Sequence, residues 1–337
     1  GTVVSEQEGI SVEQQRKLVL RLSRELCIHP FSIYQFRLYR DPHIALDYIY
    51  PHETMALHRD MNREAKRQDL RAMQDKIEFR NRSLRVGLPV VETIQHFSRE
   101  DTLSVEDLTP VDEAGVFLKT RTGHNGNGAF SLQFVKGRLL GHMLQNGVRL
   151  QTADEVNAAL AALLREDDVI LQPLLKSHPS LALLGTPYQS VMLRTITRKY
   201  LDEFRVCSAF LRTPLPRRHA RVAAASGLNP EVLAKVDLES GKIFAPTYSS
   251  LSLVPSLAEF ERLAFNALKS TTIPYWHEIS GYSCKAHEEY SSLWAVAWDW
   301  LITPEQPMLL EGNVYWGVQK SQELFGGMAR SVTWIDG

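Results

Sequence analysis

The sequence predicts an α+β protein built mostly from antiparallel sheets. Three observations point there. Short apolar runs with alternating polarity are separated by Gly, Pro and Asn turns. Helical patterns are few and do not alternate with the strands, so no βαβ series forms. No segment repeats.

The elements follow in order. Residues 11–26 set Val12, Leu18, Leu22 and Leu26 at helical spacing between charges. The next stretch is aromatic-rich and broken by Pro30, Pro42 and Pro51, which predicts short packed elements. Residues 54–85 are dense in charge and read as one or two exposed helices. Val86–Val91 reads as a loop leading into a strand. Gly115–Thr120 is a strand, and Ser131–Val135 with Arg138–Met143 form a hairpin turning at Lys136-Gly137. Ala153–Arg165 is a helix capped by Thr152. The strand Val169–Leu175 bends or ends at Pro173. Gln189–Thr197 and Glu203–Thr213 alternate around a polar turn. Val236–Leu238 and Lys242–Phe244 flank another turn, Leu257–Lys269 is a helix, and Trp294–Ile302 with Met308–Tyr315 form the last hairpin.

Composition narrows the function. The chain has 337 residues, 38 basic against 39 acidic, and 44% hydrophobic residues. That balance suits a soluble protein and gives no electrostatic case for nucleic-acid binding. No run nears the roughly 18 apolar residues of a membrane span. Cys27, Cys207 and Cys284 show no ligand or redox spacing, so a reduced cytoplasmic setting is expected.

The last hairpin carries the most chemistry. A turn symmetric about Glu305 sets Asp299 opposite Glu311, and Asn313 shares the Glu311 face. Opposed carboxylates about 5 Å apart repel unless a cation lies between them. Two carboxylates and an amide oxygen are hard donors suited to Mg²⁺. An exposed hairpin with polar residues on its wet side is the other reading, and Trp298, Trp300, Leu309 and Leu310 argue for burial. Gly123, Gly126 and Gly128 leave backbone N–H groups open for a flap over phosphates, or make a plain hairpin loop. Lys119 ends the preceding strand, where it can neutralise a phosphate or serve as a surface charge. Arg194, Arg205 and Arg212 sit on or beside apolar strand faces and need anionic partners, from a ligand or from an internal carboxylate.

The order of these parts resembles the ATP-grasp superfamily, and more narrowly its sugar-transfer-associated and α-L-glutamate ligase-like branch. The segments DKIEF, GLPVVETI, VFLKTRTGHNGNGAF, VILQPLLKSHPSL, VMLRTIT and WDWLITPEQPMLLEGN carry it. The resemblance implies two α+β lobes clamping ATP behind a helical, aromatic N-terminal extension. It divides the chain into 1–70, a first lobe 71–172 with the flap, and a second lobe 173–337 with the magnesium strands.

By the same resemblance, Lys119 binds phosphate. Gly123, Asn125, Gly126 and Gly128 form the flap, and Gln172, Pro173 and Leu174 lie at the adenine hinge. Arg194 and Arg212 approach the γ-phosphate and the substrate carboxylate, while Asp299, Glu311 and Asn313 hold Mg²⁺. Gln172 stands where many relatives have glutamate, and AAASGLNPEV lacks the branch's Asn with paired glycines. The implied activity is ligation of a small-molecule carboxylate to an amine, or to another nucleophile, through an acyl phosphate, releasing ADP and phosphate. A phosphotransferase and a non-catalytic nucleotide-binding module are the alternatives on the same fold. Residues 1–70 complete the first lobe, recognise the acceptor, or pack against another subunit as in a homodimer.

Overall fold

The computed structural model describes residues 1–108, 115–123, 128–135, 138–143, 148–182, 190–214, 231–249 and 271–329. The chain opens with helices α1 (Thr2–Glu8), α2 (Val12–Glu25), α3 (Pro30–Gln35), α4 (Pro51–Met61), α5 (Arg67–Gln74) and α6 (Lys76–Arg85). Local chemistry sets their starts. Ser11 and Gln14 close a capping box on α2, and Pro30 and Pro51 occupy first-turn positions where no N–H is needed. The aromatic stretch packs into its own small core with Leu22, Ile28, Ile33, Phe36 and Tyr50.

The first sheet contains β1 (Gln95–Phe97), β2 (Val116–Thr120), β3 (Ala129–Val135), β4 (Arg138–Met143), β5 (Arg149–Leu150) and β6 (Val169–Pro173), ordered β1-β6-β2-β3-β4-β5. Helix α7 (Ala153–Glu166) is closed by a Thr152/Glu155 capping box and buries Val156, Leu160, Leu163 and Leu164 in this sheet's core. Gly115, at φ 83°, leads into β2, where a Cβ would lie 2.5 Å from Gln133 and 2.8 Å from the Leu132 carbonyl. Only glycine fits that approach.

After the short α8 (Pro179–Ala182) comes the second sheet. Its strands are β7 (Met192–Tyr200), β8 (Glu203–Pro214), β9 (Glu231–Val236), β10 (Ile243–Ser249), β11 (Ala295–Ile302) and β12 (Pro307–Asn313), ordered β10-β9-β8-β7-β11-β12. Helix α9 (Trp276–Glu289) precedes β11, and α10 (Val318–Phe325) follows β12. Cores form on both faces. One joins Trp298, Trp300, Leu193, Leu211 and Ile279 with Phe79 and Met73, and the other joins Ile196, Phe210 and Ala297 with Ile49, Val318 and Leu324. Every residue of β11 is buried as a result.

Three expectations change. Val86–Val91 forms no strand; Val90 makes a single bridge to Leu309, whose N–H donates to the Pro89 carbonyl at 2.7 Å. The charged stretch 54–85 falls in three helices rather than one or two, and these are not simply exposed. His58, Asp69, Met73 and Phe79 are buried, and Asp69 pairs with Arg82 at 2.9 Å. The strand read at Val236–Leu238 lies earlier, at Glu231–Val236, because Asp237 starts the turn by accepting from Ser240 N at 2.8 Å. Helix α9 forms in a stretch where apolar residues alone make no helical stripe. The turn Lys136-Gly137, the helix Leu257–Lys269 and most of AAASGLNPEV lie outside the described residues.

Candidate functional site

In the β11–β12 hairpin Asp299 pairs with Glu311, and Ala297 with Asn313. The tip pairs Ile302 with Pro307, one register tighter than a turn centred on Glu305. A bulge at Leu310 restores the expected partners. On the other side of β11, Asp299 faces Arg194 of β7, which faces Phe210 of β8, and Arg212 faces Met192 two residues along. Cross-strand partners point to the same side of a sheet. Asp299, Glu311, Asn313, Arg194 and Arg212 therefore share one face.

Asp299 is the centre of this group. It is 2% exposed and Arg194 is 8% exposed. The guanidinium holds it bidentately, Nε to Oδ1 at 2.7 Å and Nη2 to Oδ2 at 2.6 Å. Burial alone would raise the Asp299 pKa, but Arg194, Arg212 and Lys320 of α10 outweigh it and keep the carboxyl below its ordinary value. The Asn313 amide nitrogen donates to Asp299 Oδ2 at 3.2 Å and to Glu311 Oε1 at 3.5 Å. It thus lies between the two carboxylates.

The first sheet supplies lysines. Lys119 of β2 pairs with Ala129 and Ile170, and Phe117, two residues before it, pairs with Gln172. Lys119 and Gln172 thus share a face, one strand repeat of about 7 Å apart along the chain direction. Burial, aided by nearby Lys76, pulls the Lys119 ammonium down to about 8 against the attraction of Glu311.

Lys76 is the residue that sequence reasoning missed. It stands at the first position of α6, behind the Asp75 cap, which accepts from Ile77 N at 3.0 Å and Glu78 N at 3.2 Å. Its Nζ donates to the Arg121 carbonyl at 3.3 Å and to the Gly123 carbonyl at the flap base. Burial lowers its pKa, and Glu311 is the largest of the charges opposing that shift. The signal lies in the segment DKIEF, where the capping Asp75 fixes the start of the helix and with it Lys76.

The flap is anchored at both ends. Thr122 donates through N and Oγ1 to Asp167 Oδ2 at 2.6 and 2.7 Å. Thr120 N donates to the Gly128 carbonyl at 3.2 Å. Gly128 has φ 64°, and a Cβ there would lie 2.9 Å from Thr120 Cγ2, so its glycine is explained by packing. Asn125 and Gly126 lie outside the described residues. At the other end of the site Gln172 is buried, Pro173 ends β6, and the Leu174 N–H donates to the Gly115 carbonyl at 3.0 Å. Arg205 stands apart, exposed and paired with Glu203 at 2.8 Å.

A family model described as sugar-transfer associated ATP-grasp matches residues 56–329. The chain belongs to this ATP-grasp family. Its fold is that of ATP-grasp enzymes. D-alanyl-alanine synthetase A from Vibrio cholerae O1 biovar eltor superposes with a TM-score of 0.50 at 9% identity, covering 80% of this chain and 66% of that one. A D-alanine–D-alanine ligase from Bacillus anthracis gives 0.42 at 9% identity, with 80% and 66% covered. Carboxyaminoimidazole ribonucleotide synthase from Aspergillus clavatus, complexed with ATP, gives 0.41 at 12%, with 73% and 46% covered. The chain thus spans less than two thirds of the length of the structures it matches. A comparison with curated proteins found no match.

The residues present in this ATP-grasp chain fit a magnesium ion. Asp299, Glu311 and Asn313 offer two carboxylates and an amide, hard oxygen donors of the kind that suits Mg²⁺. Asn313 already places a partial positive charge between Asp299 and Glu311. Turning its amide over would offer the oxygen instead, at no cost in packing volume. No helix among the described residues is long and apolar enough to cross a membrane.

Proposed function

We propose that the protein is an ATP- and magnesium-dependent ligase that activates a carboxylate as an acyl phosphate and couples it to an amine. The observation that carries this reading is the hydrogen-bonded group of Asp299, Glu311, Asn313 and Arg194 on one sheet face, with Lys119 and Lys76 near enough for the charge of Glu311 to attract both. Beside Glu311 lie Asp299, Asn313 and Arg194. Cations and hard oxygen donors gathered in this way suit a polyphosphate.

In this reading residues 71–172 and 173–337 form the two lobes, with 1–70 ahead of them. Gln172, Pro173 and Leu174 border the adenine, and Lys119 and Lys76 hold the phosphates. Asp299, Glu311 and Asn313 hold Mg²⁺, which neutralises phosphate charge when bound. Arg194 and Arg212 orient the transferring phosphoryl group and the substrate carboxylate. A carboxylate oxygen attacks the γ-phosphorus, and the bond to the bridging oxygen breaks with its electron pair leaving on ADP. The amine nitrogen then attacks the acyl carbon, the carbon–oxygen bond to phosphate breaks, and the amine gives up a proton. The closed flap keeps water from the acyl phosphate.

The test is incubation with Mg²⁺, ATP and pools of amino acids while ADP, phosphate and products are followed. ADP with free phosphate and an amide supports ligation. ADP with a phosphorylated product supports the phosphotransferase instead, and no turnover supports the nucleotide-binding module. Glu311→Ala and Asn313→Ala abolish turnover with the fold intact; near-normal activity in either sinks the metal assignment.

A further inference from the structure

A concavity lies beside the first turn of α6. Helix α5, the first part of α6 and Arg121 border an open cleft of about 590 Å³ whose charged lining is Arg67, Arg71, Arg82, Arg121, Asp75 and Glu78. Arg82 and Arg121 are neutralised by Asp69, Glu78, Asp75 and Asp168, so the positive character of the cleft comes from Arg67 and Arg71. Two of the arginines are held in place. Arg82 donates to Asp69 and Glu78, each at 2.9 Å, and Arg121 reaches Asp75 at 2.6 Å and Asp168 at 3.2 Å.

Arg67 and Arg71 are exposed, and neither has an ion-pair partner among the described residues. They stand at i and i+4 on an eight-residue helix, so they project from one side and repel each other. Arg67 is also the first residue of α5, where the helix dipole disfavours a cation. An oxyanion between them removes both penalties. Planar guanidinium forks match phosphate oxygens bidentately, and Arg82 and Arg121 offer a fixed back wall. The volume is that of a small-molecule site.

We propose that this cleft is a second oxyanion site, distinct from the nucleotide face, that takes the phosphate group of a small phosphorylated molecule. It is independent of the ligase reading. The two sites adjoin: the charge of Asp75 acts on Lys76, and Lys76 Nζ donates to the carbonyls of Arg121 and of Gly123 at the flap base.

The experiment is calorimetric titration of the full chain at low ionic strength with glycerol 3-phosphate and, separately, with inorganic phosphate. Each is run on the wild type, on Arg67→Ala/Arg71→Ala and on Lys119→Ala. Both arginines are exposed, so the double variant keeps its circular dichroism spectrum and thermal midpoint. The double variant is expected to bind at least tenfold more weakly and Lys119→Ala as well as wild type. Tighter binding of the ester identifies an organic phosphate and equal binding the free ion; either upholds the site. No measurable binding, unchanged affinity in the double variant, or loss of binding in Lys119→Ala overturns it, the last by moving the phosphate to the nucleotide face.

Discussion

Replacing Arg194 by methionine tests how Asp299 of β11 is held before any ligand arrives. The guanidinium is nearly buried and makes two short bonds, 2.7 and 2.6 Å, to a carboxylate that is 2% exposed. Methionine keeps much of the volume and removes the charge. Asp299 then retains the Asn313 amide at 3.2 Å and the more distant charges of Arg212 and Lys320. Breaking a buried ion pair by deleting one partner costs about 3–5 kcal/mol, and the surviving cations place this case at about 3 kcal/mol. Urea unfolding of the nucleotide-free protein at pH 7 measures it.

The pH dependence supplies an independent check on the same variant. In the wild type the folded pKa of Asp299 lies below its unfolded value near 3.8, so its contribution is present above that value and fades in acid. In the variant, burial raises the folded pKa above the unfolded one. The carboxyl then takes up a proton on the way down from neutral pH, and the deficit against wild type shrinks. Removing both charges in Arg194→Met/Asp299→Leu is expected to restore most of the loss, since an apolar pair replaces a buried ion pair at little net cost. A single variant within about 0.5 kcal/mol of wild type at pH 7 refutes the reasoning, given the scatter of surface substitutions. So does a deficit of equal size at pH 7 and pH 4.5.

Two further outcomes are expected. The Lys119 ammonium titrates at about 8 in the nucleotide-free protein, and only its charged form attracts phosphate. Affinity for Mg-ATP is therefore flat below pH 7 and falls about tenfold from pH 7 to pH 9, a slope that Lys119→Ala removes; equilibrium dialysis across that range decides it. Gly312 lies between two metal-binding candidates with Met73 Cε 2.4 Å and Trp298 Cζ3 2.7 Å from where a Cβ would stand. Gly312→Ala is thus expected to lose about 1–3 kcal/mol by overpacking, and a thermal midpoint equal to wild type would falsify that packing.

What the sequence shows of the site follows the range of the interactions that build it. Asp299 facing Glu311 is legible because a short hairpin links them, although two offsets, a tighter tip and the bulge at Leu310, had to cancel for turn arithmetic to succeed. That Arg194 takes Asp299 as its partner depends on β7 lying beside β11, an adjacency between strands about a hundred residues apart that no local pattern encodes. Lys76 was hidden because a run of charges reads as solvated. Here the charges turn inward, with Arg82 on Asp69 and Ser292 donating to the other Asp69 oxygen at 2.6 Å. Helix α9 was missed for a related reason. Its buried positions Trp276, Ile279, Ser283, Ala286 and His287 keep helical spacing only if serine and histidine count as interior. They are interior because Ser283 donates to the Ile279 carbonyl at 2.7 Å and His287 bonds the Leu293 carbonyl at 3.0 Å.

The run Trp298-Asp299-Trp300 shows why this strand can present a carboxylate with little freedom. Alternation sends the two indoles to one face and the aspartate to the other. Both indoles are fully buried, and each N–H is satisfied inside the core, Trp298 on Thr197 Oγ1 at 2.7 Å and Trp300 on Thr195 Oγ1 at 3.2 Å. A slip of one residue would drive Asp299 into that apolar core and expose the tryptophans on the charged face. The cost of such a slip greatly exceeds any gain from moving the carboxylate toward a ligand. Adjustment at the site must therefore come from Glu311, Asn313 and the lysines, with Asp299 as the fixed point against which they move.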